Sequence, residues 1–130
     1  MHGGLERAAS RAGGRVALRA GGSSWTFAEL DDLVNGTARH LASQGVGAGQ
    51  RVAVMMANRV EFVATVLAAS KLGAASVLVS PAWKSAEVGH ALAVTSPVHA
   101  VGDRDAAPLL AALLGDGRVS DVDRRPGGPV

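Results

Sequence analysis

Three glycines at alternate positions, Gly45, Gly47 and Gly49, stand just before the apolar run RVAVMM at 51–56. Glycines beside a strand can let backbone N–H groups wrap a phosphate, so nucleotide binding is the first chemistry to weigh. A dinucleotide fingerprint needs a strand, then GxGxxG, then a helix whose N-terminus faces the pyrophosphate. Here the order is helix, glycines, strand, and the spacing is GxGxG. Gly45 suits the left-handed position just past a helix C-terminus, and Gly47 with Gly49 suit the turn into the strand. The better place for an anion is ANRVE, after Met56, where a strand meets a helix start. That segment offers one Asn and no glycine to bring the backbone close.

The other reactive side chains form no constellation. Asn58 is expected to cap a helix, and Lys71 to complement the dipole at a helix C-terminus. His2, His40, His90 and His99 lack the close spacing of a metal pair on one helix, and there is no cysteine to complete a site. They read as independent surface or packing residues. No GxSxG elbow marks a hydrolase nucleophile. Ser80, before Pro81, falls at the carboxyl end of a strand, the rim where α/β sheets take ligands, and turn chemistry alone accounts for it. Trp25 and Trp83 stand apart from other aromatics, so they read as packing residues or turn lids, not as a base-stacking platform.

The elements that position these residues follow from periodicity. RVALRAGGSSWTF (15–27) reads as a hairpin about Gly21 and Gly22. In TFAELDDLVNGTARHLASQG, Phe27, Leu30, Val34, Ala38 and Leu41 repeat every three or four residues, and Thr26 with Glu29 makes a capping box. RVAVMM is a short strand covered on both faces. A helix follows with Phe62, Val63, Val66 and Leu67 on its apolar stripe, ended by Gly73, and ASVLVS is a second buried strand closed by Pro81. Strand, helix, strand makes a βαβ unit with parallel strands. The rhythm continues with a helix at 85–94, a strand at 98–101, a helix at 106–114 opened by Asp103 or Asp105, and a last strand at 119–122. The fold class is α/β, with a layered parallel sheet.

Bulk properties bound the rest. At 130 residues there is room for one core. A composition 48% hydrophobic and 18% charged is globular, and with no isoleucine, tyrosine or cysteine the core must be Ala, Val, Leu and Gly. The formal net charge is +2 and the 13 basic residues are scattered, a poor footprint for nucleic acid. Arg124 and Arg125 are the one basic pair, read as solvated. The start carries charges instead of a signal-peptide core, and the greasy stretch at 62–82 is interrupted by Lys71 and Gly73, so no membrane span is expected. Absence of cysteine is compatible with a reducing, cytoplasmic setting.

Taken in order, WTFAEL, LASQGVGAGQRVAV, ANRVEFVATVLAASKLGA and VLVSP resemble the opening of the adenylate-forming superfamily of acyl-CoA synthetases, peptide-synthetase adenylation domains and luciferases. The collinearity covers most of residues 5–103. It implies a partial N-terminal subdomain over 1–123 with a disordered Pro/Gly tail at 124–130. In the intact parent it implies ATP- and magnesium-dependent activation of a carboxylate as an acyl-adenylate, then transfer to a thiol such as coenzyme A. The family's Ser/Thr/Gly-rich phosphate loop with its lysine, its Thr-Glu pair, its ribose aspartate and its C-terminal lysine have no counterpart in the 130 residues. The resemblance therefore assigns no catalytic, cofactor-binding or metal residue to any position here.

Phe27 stands where the family often has tyrosine, and 104–130 dissolves into Arg, Asp, Pro and Gly. The chain is thus expected to be a scaffold fragment, inactive alone, from a truncated or frameshifted gene or a fragmentary gene model. The rival from another class is a non-enzymatic remnant that binds a partner or dimerises through an exposed sheet edge. A free-standing nucleotide-binding module is disfavoured by the glycine order.

Overall fold

The computed structural model describes residues 16–20 and 23–123. The expected Gly21–Gly22 turn, His2, the Arg124–Arg125 pair and the tail at 124–130 lie outside the described residues. Strands β1 (Val16–Ala20) and β2 (Ser23–Thr26) pair antiparallel, as the hairpin pattern requires, with Leu18 opposite Trp25.

Helix α1 (Phe27–Ser43) starts at the expected capping box: Glu29 N–H donates to Thr26 Oγ1 at 3.1 Å, and Thr26 N–H to Glu29 Oε1 at 2.8 Å. Leu30, Val34, Ala38 and Leu41 are buried, and Phe27 is half-buried. The helix closes on Gly45 in a left-handed conformation (φ 89°), with Gly45 N–H bonded to Ala42 O and Val46 N–H to Leu41 O. This double bond is the Schellman arrangement that glycine allows without a Cβ clash.

Strand β3 (Arg51–Met55) is the buried strand expected. Helix α2 (Val60–Lys71) follows, but its N-cap is Arg59, not Asn58, and no side chain caps it. Asn58 is exposed, and Arg59 instead turns its guanidinium onto Glu61 in the first turn. Gly73 (φ 75°) ends α2 in a second Schellman turn, with Ala74 N–H on Ala69 O. The two glycine turns then join, since Gly49 N–H donates to Gly73 O at 3.0 Å. The GxGxG run is thus the hinge between α1, β3 and the end of α2.

Beyond it come β4 (Ala75–Leu78), α3 (Ser85–Thr95), β5 (His99–Gly102), α4 (Ala107–Leu114), a short 3₁₀ turn (Asp116–Arg118) and β6 (Val119–Asp121). The sheet runs β4-β3-β5-β6, every pair parallel. β4 is not a buried strand: it lies at the sheet's edge, paired only with β3 among the described residues, and Leu78 is 56% exposed. An apolar run alone does not tell an edge strand from a central one.

Side chains alternate along β3 between two cores. Val52 and Val54 pack with Leu30, Leu41 and Leu67 from α1 and α2, whereas Ala53 and Met55 pack with Val88, Leu92 and Leu110 from α3 and α4. The sheet is therefore covered on both faces. No helix among the described residues is long and apolar enough to cross a membrane.

Candidate functional site

In an open parallel sheet the carboxyl ends of the strands are the rim where ligands sit. Here β3, β5 and β6 end at Met55, Gly102 and Asp121, and the residues just beyond them carry charge. Arg59 donates through both terminal nitrogens to Asp123, at 3.2 and 2.9 Å, and through Nε to Glu61 at 2.8 Å. Asp123 also accepts the Arg104 backbone N–H at 2.8 Å. Asp103 accepts from Ala57 N–H at 3.2 Å with one oxygen and from Ala106 N–H at 2.9 Å with the other, so it opens the turn into α4 as expected.

The electrostatics match this closed geometry. The forked hydrogen bonds from Arg59 hold the Asp123 carboxyl below its ordinary range, helped by the Arg104 N–H, and Asp123 and then Glu61 raise the Arg59 guanidinium. The side chains of Arg59 and Asp123 are 30% and 24% exposed. The clasp ties the end of β6 to the β3–α2 and β5–α4 loops. Its donors are already answered by carboxylates of the same chain.

A second polar cluster lies between α1, β5 and β6, with His40 and Ser120 half-buried and His99 buried. Ser120 Oγ on β6 sits 2.7 Å from Nε2 of His40 on α1 and 2.7 Å from Nε2 of His99 on β5. The two rings meet edge to face, with centroids 6.4 Å apart. His99 is 1% exposed, and burial pushes its imidazole down to about 4, with His40 and Arg118 adding to the shift. These two histidines are therefore not independent residues. Their partner Ser120 is 80 and 21 positions away, so no local spacing marks the cluster.

The remaining sequence candidates fall apart from both. Ser80 Oγ accepts the Ala82 N–H at 3.2 Å, which is turn chemistry. Lys71 Nζ donates to Asn35 Oδ1 at 2.7 Å and straps α2 to α1. Trp25 packs against the α1–α2 core. Trp83 and exposed His90 border a shallow depression with Glu87. Among the described residues there is no group of three His, Cys, Asp or Glu that could hold a metal. At the rim, Arg59, the Arg104 N–H and the Ala57 N–H are all engaged by carboxylates of the chain.

Comparison with known proteins adds the wider frame. The family model described as AMP-binding enzyme matches residues 5–125. The chain is 34% identical over 102 residues to the medium/long-chain-fatty-acid–CoA/3-oxocholest-4-en-26-oate–CoA ligase of Mycobacterium marinum, covering 78% of this chain and 18% of the ligase. It is 37% identical over 108 residues to the 2-succinylbenzoate–CoA ligase of Geobacillus kaustophilus, covering 83% and 21%. The solved O-succinylbenzoate coenzyme A synthetase of Bacillus subtilis, in complex with AMP, superposes with a TM-score of 0.81 at 27% identity, over 92% of this chain and 31% of that one. The chain thus spans about a fifth of the length of these two curated relatives.

Proposed function

The chain belongs to the AMP-binding enzyme family, and from that premise we propose that it is the opening scaffold of an ATP-dependent carboxylate–CoA ligase, working in the cytoplasm and catalytically inactive as the isolated 130 residues. In the intact parent, a carboxylate would displace pyrophosphate from magnesium-bound ATP to give an acyl-adenylate, and the coenzyme A thiol would then displace AMP to take the acyl group. Such chemistry requires donors and a metal aimed at the charge that develops on phosphate.

One observation carries the reading. At the rim where an anion would bind, Arg59 and the Arg104 N–H are spent on Asp123, and the Ala57 N–H is spent on Asp103. Family membership supports the parent reaction, and CoA ligases among the relatives support coenzyme A as the thiol. The test is ATP–pyrophosphate exchange by the purified chain with a panel of fatty and aryl acids. No exchange above the enzyme-free control is expected, and carboxylate-dependent exchange would overturn the proposal of inactivity.

The second reading, a partner-binding or self-associating module, is favoured by the β4 edge. Its residues Ala75–Leu78 carry no charge or proline, the usual guards of an edge strand, and Leu78 is exposed. Light scattering across a hundredfold concentration range tests it. A mass that stays monomeric at every concentration removes self-association.

A further inference from the structure

The shortest strand of the sheet carries a set of side-chain fastenings besides its backbone ladder. β6 has three residues and pairs only with β5 among the described residues. Beside the ladder to β5, the Val122 N–H on Gly102 O and the packing of Val119 and Val122 against the two cores, its fastenings are Ser120 between the two imidazoles, Arg118 on the carbonyls of Pro97 and Val98, and Asp123 on Arg59 and the Arg104 N–H. We infer that the His40–Ser120–His99 cluster is an acid-released latch: neutral imidazoles pin β6 to α1 and β5, and protonation frees the strand together with Asp123.

The argument is one of donors and acceptors. A serine hydroxyl has a single proton to give and lone pairs to accept. With both rings neutral, Ser120 donates to the Nε2 that lacks hydrogen and accepts from the Nε2–H of the other ring. A proton added to the accepting ring turns both nitrogens into donors. The Ser120 O–H then loses its acceptor, and where that ring is His99 a positive charge appears on a residue only 1% exposed.

The groups facing the cluster do not offset that charge. From α1 comes His40 itself, and from the turn before β6 comes Arg118, a cation. From β3 the residue in register with His99 is Val52. Asp121 on β6 is engaged with the Asp123 N–H, and no carboxylate bonds either ring among the described residues. The depressed titration of His99 agrees with this setting. A charged imidazole gains most by reaching water, and displacing the three-residue β6 gives up its ladder to β5 and the partly buried Val119 and Val122 while leaving the buried residues of both cores in place. Once β6 leaves, Asp123 leaves Arg59, so the rim clasp opens with it.

Amide hydrogen exchange followed by NMR on the whole chain, at steps between pH 7.5 and 4.5, tests the latch. The protection of residues 119–121 is expected to fall towards about tenfold per pH unit below pH 6.5, the slope of one proton taken up on opening, and to lie below that of the β3 amides at each pH. A pH-independent β6 overturns the proposal. So does protection equal to that of β3 at every pH, because then only global unfolding frees the strand. A folded His99→Gln chain is expected to give a flat β6 profile, and a retained slope counts against the latch. Because the wild-type profile decides the matter by itself, failure of that buried variant to fold leaves the test intact.

Discussion

Gly102, the last residue of β5, is the position where one added methyl group should cost most. Its φ is not positive, so alanine can adopt the backbone, and any penalty is steric. A Cβ placed there lies 2.8 Å from Leu110 Cδ1, 3.2 Å from Ala106 Cβ and 3.3 Å from Ala107 N. Comfortable carbon–carbon contact begins near 3.5 Å. The Leu110 methyl must therefore retreat by more than half an ångström, yet Leu110 is fully buried and has no solvent to move into. The other two atoms belong to the start of α4 and move only if the helix shifts off the sheet. Overpacking of this kind costs about 1–3 kcal/mol. The assay is urea unfolding followed by circular dichroism, read at constant m-value. Leu110→Ala alone should cost about 2–5 kcal/mol. In the double variant the 2.8 Å clash is gone, so the loss should fall short of the sum by about 1 kcal/mol. A Gly102→Ala chain within 0.5 kcal/mol of wild type, or a strictly additive double variant, would refute the reasoning at about the accuracy of such cycles.

Two further outcomes are expected. Global stability should decline on acidification in two windows. Between pH 6.5 and about 4 the unfolded chain takes up a proton on His99 that the folded chain refuses, a loss approaching about 3 kcal/mol. At lower pH Asp123, held below its ordinary range by Arg59, is protonated and its contribution is lost in turn. Urea titrations at closely spaced pH check both windows, and stability that is flat from pH 6.5 to 4 contradicts the first. Replacing Thr26 by Ala should cost about 0.5–2 kcal/mol through the capping box, measured in the same way, and a neutral result would mean that the start of α1 is held by the hairpin instead.

Local chemistry was legible in the sequence and long-range pairing was not. The capping box, the apolar stripe of α1 and the glycines that close α1 and α2 depend on residues within a turn of one another, and each was readable from spacing. The α/β alternation and the parallel βαβ unit were readable from period changes. Strand order was not, because β5 enters between β3 and β6 while β4 is left at the edge, and an apolar tetrapeptide carries no mark of which neighbour it gains. The same limit hid the His40–Ser120–His99 cluster, whose members meet only when α1, β5 and β6 are placed together. Asn58 failed as a cap for a nearer reason: Arg59 has a better use for the first turn, with Glu61 beside it and Asp123 across the rim.

The two ends of the sheet are built differently, and the difference bears on what the chain can bind. At the amino ends of β3 and β4 backbone bonds run from Gly49 to Gly73 and from Ala75 to Gln50, and the side chains there, Gln50 on the Gly47 N–H and Arg51 on Thr95 O, bond only to backbone. At the carboxyl ends the fastenings are side chain to backbone and side chain to side chain, through Asp103, Asp123 and Arg59. Such bonds can be exchanged one for one. An anion at this rim would have to take the place of Asp123, bringing its own charge to Arg59 and its own oxygens to the Arg104 N–H. The polar rim and the glycine run therefore divide the work in the opposite sense to the one that the glycines alone would imply. The glycines hold the scaffold, and Arg59, the Arg104 N–H and the Ala57 N–H, rim donors that could meet a phosphate, are kept occupied by the chain itself.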